Sequence, residues 1–329
     1  MRTDTHTLHD IDAINDCTLQ KRLARGETLP SDVAHCVCSN KDRAAINEAM
    51  YSKSLDTKWT HTNSVPDDYL LVKADGMQRQ LKSGKLADLS PPDRQFIYEH
   101  CGDNRVTTKR RGGKGHFVAP LLKLHKHQPL MLVSNTDVAN GHANGTRVIL
   151  DSVVFSPSAT IETATVNGRS CKITTASSID HLLCHSADDD NKIHKIKPQT
   201  MTCTVKAPLP PSFQAPSSAT VRFTVRMNQF PAITNYATTG HKLQGQTKKN
   251  LVISVWSKRR NWNYVALSRV KTRGGLYLVN PLPRDVDFSI PQDLRHMMST
   301  LRTKTPMHDC GFDIEEERAR VQRRRLFPN

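Results

Sequence analysis

The sequence lacks any long apolar run. Nowhere in its 329 residues do about 18 apolar positions follow one another, so no membrane-spanning helix is expected. The opening residues, MRTDTHTLHD, have no apolar core and predict no signal peptide. Aromatic residues are scarce, at 5%, and hydrophobic residues reach only 37%, so part of the chain is expected to be loop or disordered. None of the eight cysteines (Cys17, Cys36, Cys38, Cys101, Cys171, Cys184, Cys203 and Cys310) pairs at the two-residue spacing of a zinc knuckle. HLLCH, with His181, Cys184 and His185, offers half of a metal site without a second half, and the expectation is no metal. Free thiols in a reducing compartment fit better than a disulfide framework. Acidic residues are the minority, 31 against 47 Lys and Arg, which leaves a net charge of +16. That excess predicts attraction to a polyanion, most simply nucleic acid; a solvated basic surface is the plainer reading.

The length suits roughly two domains. VAHCVCS (33–39) reads as a buried strand. A helix follows over 40–55, with Asn40 as its cap and Ala44, Ala45, Ile46, Ala49 and Met50 as its apolar stripe. Strand, polar turn and helix form the unit of a parallel α/β sheet. YLLVKA (69–74) is a further strand, PPDRQFIYEHC (91–101) a short helix, and TKRRGGKGHF (108–117) a basic loop.

From about 118 to 206 the texture turns to short β-like runs separated by turn signals such as NGHANGT and VNGRS. SADDDNK (186–192) reads as an acidic loop and APLPPSFQAPSSA (207–219) as a connector. After 219 the α/β texture returns. NLVISVW (250–256) and GGLYLVN (274–280) read as strands. NWNYVALSRV (261–270) reads as a helix with Tyr264, Leu267 and Val270 inward. IPQDLRHMMSTLR (290–302) reads as a helix facing inward through Ile290, Leu294, Met297, Met298 and Leu301.

Two motifs carry chemistry. At the end of NYVALSRV, Ser268 and Arg269 follow a packed helix; a guanidinium held there has the planar fork that binds phosphate oxygens, or else makes a minor surface ion pair. ATTGHKLQGQT (237–247) sets Thr238, Thr239, Gln244, Gly245 and Thr247 close together. Hydroxyls, amides and a close backbone approach suit a sugar–phosphate chain contacted without base reading. They equally suit a polar turn that satisfies its own backbone.

Taken in order, QFPAITNYATTGHKLQGQT and NYVALSRVKTRGGLYL resemble the C-terminal motor domain of PIF-type and RecD-like superfamily-one DNA helicases, including those of eukaryotic genomes and Helitron-type transposons. CVCSNKDRAAINEAM resembles the family's fourth motif. PLLKLHKHQPLMLVSNTDVANGHANGTRVIL resembles the segment leading into an inserted β-barrel, and TLQKRLARGETLP (18–30) the lead-in helix after the third motif. The resemblance spans most of 18 to 302. It implies an α/β fold: a RecA-like parallel-sheet domain in two sequence pieces, 33–117 and 219–303, around an inserted small β-barrel and connector at 118–218. A lead-in helix and linker at 1–32 and a basic tail at 304–329 complete the chain.

The resemblance also implies roles. Arg269 matches the arginine finger that meets the ATP γ-phosphate. Arg43, Gln244, Gly245 and Ser268 fall at the ATP cleft. Thr239, His241, Lys242 and Thr247 match the fifth motif, which touches the DNA backbone. Gly240 and Leu243 depart from the usual pattern of a branched apolar and a small residue. Asn144 and Gly145 match the family's NGT turn, expected to be a hairpin.

A phosphate-cradling G-x-x-x-x-G-K-[ST] loop does not occur in the sequence; RRGGKGHF is nearest and has Thr108 and Gly115 at the deciding positions. The expectation is a motor lobe without its partner, from a split gene, a truncated reading frame or a decayed transposon copy. ATP and Mg²⁺ would be used only with a separate N-terminal helicase domain, and no ATP hydrolysis is expected of this chain alone. Single-stranded or forked DNA is the expected partner, 5′-to-3′ the implied direction, and the nucleus the implied setting, with the mitochondrion as alternative. Two other readings stand beside this one: a non-catalytic single-strand-binding remnant, whose basic grooves track phosphates, and an inert fragment.

Overall fold

The computed structural model describes residues 7–30, 33–62, 69–102, 105–108, 115–135, 138, 141–166, 169–187, 189–207, 221–243, 246–257 and 262–284. In chain order the elements are α1 (Leu8–Asn15), α2 (Leu19–Ala24), β1 (Ala34–Val37), α3 (Asn40–Thr62), β2 (Leu70–Lys73), β3 (Asp75–Gln80), β4 (Leu86–Asp88), α4 (Pro91–His100) and β5 (Val106–Thr108). There follow β6 (Leu121–Leu124), β7 (Pro129–Leu132), β8 (Arg147–Phe155), β9 (Glu162–Val166), β10 (Arg169–Thr175), β11 (Ile179–Ser186), β12 (Asp189–Ile196) and β13 (Gln199–Ala207). The last are β14 (Val221–Gln229), β15 (Ala232–Thr234), β16 (Ala237–Thr239), β17 (Leu251–Ile253), α5 (Trp262–Leu267) and β18 (Leu276–Leu278). The helix expected at 290–302, the tail, Gln244 and Gly245 lie outside the described residues, as does all but Ala207 of the connector. No described helix is long and apolar enough to cross a membrane.

The chain is mixed α/β with one fully parallel sheet. Its order is β16-β1-β17-β18, so β1 lies between strands that come some two hundred residues later. All three residues of β16, β17 and β18 are buried, as apolar runs in a doubly covered parallel sheet must be. The helix after β1 starts differently from the expectation. Ser39, not Asn40, is the cap: its Oγ accepts from Asp42 N–H at 3.1 Å and donates to the Asp42 carboxylate at 2.7 Å.

The buried stripe of α3 also differs. Ala45 and Ala49 are exposed, and the residues turned inward are Arg43, Asn47 and Tyr51, four apart. Polar side chains face in because this side of the helix meets backbone groups that need partners.

The remaining strands are mainly antiparallel. β6-β2-β10-β9 and β12-β11-β8-β7-β15 form two open ladders over a shared core that includes Leu70, Leu122, Leu130, Leu150, Leu182 and Phe230. Among the described residues the pairing gives ladders rather than a closed ring. β4-β3-β14-β13-β5 is a third sheet, with Ile97 of α4 packed in its own core beside Val205 and Val225. Pairing crosses both expected borders: β2 of the first piece pairs with β6 and β10, and β14 and β15 of the last piece pair with β13 and β7. The acidic run is no loop either, since Asp189 and Asp190 already belong to β12, paired with β11 beyond a register shift.

The NGT segment does close a hairpin between β7 and β8. Gly145 sits at φ +94°, open to glycine at little cost, and its N–H bonds Leu132 C=O at 2.8 Å. The lead-in helix α2 is tied to the 3-10 turn before β18. Arg22 is 6% exposed, donates from Nη2 to Arg273 C=O at 2.8 Å and lies 4.5 Å over the Tyr277 ring. Cys17, Cys36, Cys38, Cys101, Cys171, Cys184 and Cys203 are all free thiols.

Contacts divide the chain into Asn15–Pro281, which holds every sheet, and a small unit made of Met1–Ile14 and Leu282–Asn329. Within the small unit Thr7 and Asp10 cap α1 reciprocally and Arg284 pairs with Asp12 at 2.9 Å.

Candidate nucleotide and nucleic-acid edge

In open α/β sheets, ligands sit outside the carboxyl ends of the parallel strands. β16 ends at Thr239 and runs into a 3-10 turn, Gly240–Leu243. Three contacts hold that turn and the strand that leads into it. Asn47 of α3 donates from Nδ2 to Thr234 C=O at 2.9 Å and accepts at Oδ1 from Ala237 N–H at 2.8 Å, which pins the step from β15 to β16. The second contact comes from α5. Trp262 is buried and its ring lies against Gly240, so close that a Cβ there would stand 3.1 Å from Trp262 Nε1 and 3.8 Å from Cys36 Sγ. The departure from the family pattern at Gly240 thus has a local reason: the indole occupies the space that a branched side chain would take.

The third contact is Arg269. Its Nε donates to Val265 C=O at 3.1 Å, its Nη2 to Ser268 Oγ at 2.9 Å and its Nη1 to Leu243 C=O at 3.5 Å. Ser268 Oγ itself donates to Val265 C=O at 3.0 Å. Backbone bonds from Lys248 N–H to Arg269 C=O, 2.7 Å, and from Lys271 N–H to Lys248 C=O, 2.9 Å, zip the two segments together. The described residues of 237–248 and those of 262–271 are therefore joined to each other.

The expected site residues are distributed unevenly over it. Ser268 and Arg269 are half-buried beside the turn, and His241 and Thr247 are exposed. Thr239 is only 8% exposed, paired with Val37, so little of it is presented to a ligand. Lys242 turns toward β7, its Nζ 3.6 Å from Met131 Sδ. Arg43 departs most from its expected place. It is 1% exposed, with its guanidinium 5.3 Å over the Phe117 ring, so it supports the core instead of facing a cleft. Tyr264, expected inward, is exposed at 43%, because α5 turns Trp262, Asn263 and Ala266 to the core. Among the expected site residues, Arg269 is the guanidinium that touches the turn after β16, whereas Arg43 is buried against Phe117. His181 and His185 pair separately with Asp180 and Asp151, and neither turns toward Cys184, which is buried.

Several positioning residues escaped the sequence reading. Behind β16 lies a buried polar chain. His125 Nδ1 donates to Lys126 C=O at 2.8 Å, its Nε2 accepts the Tyr236 hydroxyl, and Gln128 Nε2 donates to Thr234 Oγ1 at 3.0 Å. Burial pushes the Tyr236 phenol well above its ordinary pKa, with Tyr69 adding to the effect. Burial likewise pushes the Cys36 thiol up to about 12, with Cys38 adding to it, so it is no nucleophile at neutral pH. The one signal available in advance was the spacing of Arg43, Asn47 and Tyr51 on one helix face.

No protein-family model and no curated protein matches the chain. The fold does resemble solved helicase structures. One is Pif1 helicase from Bacteroides in complex with ADP-AlF3 and ssDNA, at TM-score 0.49 and 16% identity, covering 91% of this chain and 51% of that one. A second is Pif1 helicase from Candida albicans, at TM-score 0.47 and 16% identity, covering 91% and 58%. Unliganded Pif1 from Bacteroides sp. gives 0.45 and 15%, covering 90% and 51%. The chain spans about half the length of the Bacteroides structures.

Proposed function

We propose that this chain is the rear lobe of an ATP-driven, 5′-to-3′ DNA helicase of PIF type, carrying the nucleotide-sensing arginine but not the phosphate cradle. The observation that carries the reading is the tie between the 237–248 and 262–271 segments. Arg269 joins the 262–271 segment to the turn that leaves the carboxyl end of β16, and Lys248 joins it again just before β17, a tie of the kind by which a helicase couples fuel to strand. Arg269 is the arginine finger, with Ser268 holding its fork. Gln244 and Gly245, outside the described residues, are assigned to the same cleft by the resemblance alone; the exposed His241 and Thr247 meet the DNA backbone, and Thr239 and Lys242 support the segment that carries them. ATP and Mg²⁺ are bound only when an N-terminal motor domain completes the cleft, single-stranded or forked DNA is the track, and the nucleus is the setting.

The test is phosphate release with single-stranded DNA and ATP. The chain alone should show no turnover. Adding a separately expressed N-terminal motor domain of this helicase type should restore it, and Arg269→Ala should lower the restored rate by about 10³-fold or more, the usual effect of losing such an arginine. Turnover by the chain alone that Arg269→Ala abolishes refutes the missing-cradle reading. DNA binding with no restorable turnover supports the second reading, a non-catalytic single-strand-binding module. The net charge of +16 and the absence of a G-x-x-x-x-G-K-[ST] loop favour that reading.

A further inference from the structure

The third sheet, β4-β3-β14-β13-β5, has two unlike faces. Its inner face is apolar: Cys203, Val205, Ala207, Phe223, Val225 and Met227 are buried against Ile97 of α4. Its outer face is polar and carries basic residues. The β13–β14 ladder pairs Thr202 with Arg226, Thr204 with Thr224 and Lys206 with Arg222, and each of these pairs points outward. The side chains of Lys206, Arg222 and Arg226 are exposed and make no ion pair or hydrogen bond among the described residues. Two acids border this face: Asp88 at the far edge on β4, where Gln78 Nε2 bonds it at 3.0 Å, and Asp75 of β3, opposite Asn228 and already bonded by Ser177 N–H at 3.0 Å.

Two like charges directly opposite on neighbouring strands destabilise a sheet. Lys206 and Arg222 stand in that relation without a neutralising partner. A sheet carries such a pair at no loss when an external polyanion neutralises it. Arg222 and Arg226 lie four residues apart on one strand, about 13 Å, so the three charges can meet successive phosphates. The threonines between them add hydroxyl donors of the kind that contact phosphate. The six residues include no aromatic or aliphatic anchor, which a protein partner would need.

We propose that this face is a second nucleic-acid contact, binding the phosphate backbone of a single strand without reading bases. It goes beyond the motor-lobe reading, which needs only the 239–247 segment.

The test is fluorescence anisotropy of the full chain with labelled single-stranded DNA and RNA oligonucleotides across a salt titration. The K206Q/R222Q/R226Q variant is compared with K192Q/K195Q/K197Q, which loses the same charge from another sheet. Removing three phosphate contacts should lower the log–log salt slope by about 2 and weaken binding roughly tenfold near 0.1 M salt. The control should change neither as much, and DNA and RNA should behave alike. An equal effect from the control triple overturns the inference in favour of bulk charge, as does a tenfold preference for one base composition. Loss of binding in K242A/T247A with none in the sheet triple overturns this inference and leaves the motor-lobe reading. The converse supports the inference while counting against the 239–247 segment.

Discussion

Asn47 offers the sharpest test of how the sheet edge is held. Its amide satisfies two buried backbone groups at once, Thr234 C=O and Ala237 N–H. Asn47→Ala leaves both without that partner. A buried group stripped of its hydrogen bond costs about 1–3 kcal/mol. Asn47 also lines a cavity of about 530 Å³, together with Glu48, Tyr51, Leu122 and Thr234. Water can enter a cavity of that size and polarity and re-bond part of what is lost. The total should therefore fall near the lower end, about 2–3 kcal/mol.

Asn47→Asp separates the two bonds. The carboxylate still accepts from Ala237 N–H, but its second oxygen faces Thr234 C=O, acceptor against acceptor. At pH 7 the loss should be about 3–5 kcal/mol, the cost of an uncompensated buried charge. Protonation turns that oxygen into a donor and restores the bond. The folded-state pKa of the new carboxyl is therefore raised above the ordinary value near 3.9, and the penalty is present above that raised value and relieved as pH falls through it. Urea unfolding of the wild type, N47A and N47D between pH 7.5 and 5 reads both effects. The reasoning is refuted if N47A lies within about 0.5 kcal/mol of wild type, or if N47D shows a pH-independent deficit.

Other outcomes follow from single contacts. Gly240→Val should destabilise by about 1–3 kcal/mol through overpacking against Trp262, and adding Trp262→Leu should recover part of that loss; strict additivity in a double-mutant cycle would contradict the packing. Gly145→Ala, at φ +94°, should cost about 1–2 kcal/mol by thermal melting without altering the β7–β8 pairing seen by amide exchange. His194 is buried with no hydrogen-bond partner at either ring nitrogen, its ring 5.0 Å from that of His142. Burial, aided by neighbouring His142 and Lys192, holds its pKa below the ordinary histidine value near 6.5, so stability is intact above that pH and is lost as pH falls below it. His194→Phe should flatten the acid side of a Tm–pH profile, leaving the share of His35, whose pKa burial also lowers.

Local signals were readable in advance and pairings less so. The strand around 34–37, the Pro-led helix at 91–100 and the NGT hairpin follow from alternation, proline placement and a glycine needed at positive φ. The inward face of α3 was misread because alanines suit either face of a helix, while the buried residues were Arg43 and Asn47, polar types that are ordinarily exposed. Their burial depends on partners more than seventy residues away, the Phe117 ring and the Thr234–Ala237 backbone, which no local pattern reveals. Tyr264 failed similarly: a six-residue helix presents too short a stripe to fix its rotation, and Trp262 against Gly240 decides it. At the candidate site, the nearness of Arg269 to the 240–248 segment was expected only through resemblance, since twenty residues and a whole strand separate them.

The partners of Arg269 bound what that residue can transmit. One end of its fork is held by Val265 of α5 and by Ser268 just beyond it, at 3.1 and 2.9 Å. The other end reaches Leu243 C=O at 3.5 Å, a weak bond that is the first to go when the guanidinium turns toward an anion. A phosphate would replace it with a shorter, charge-assisted bond. The exchange releases the 3-10 turn that presents His241 and Lys242 by about one ordinary hydrogen bond, 0.5–1.5 kcal/mol. A ligand shifts an equilibrium only by its differential affinity for the two states, so under the proposed function an anion at Arg269 would by this route change strand affinity at the 241–247 segment by about tenfold at most. The backbone bonds through Lys248 survive the exchange and keep the segments in register. On the proposed function, any larger coupling between nucleotide and strand has to come from movement of a companion lobe and not from this tie.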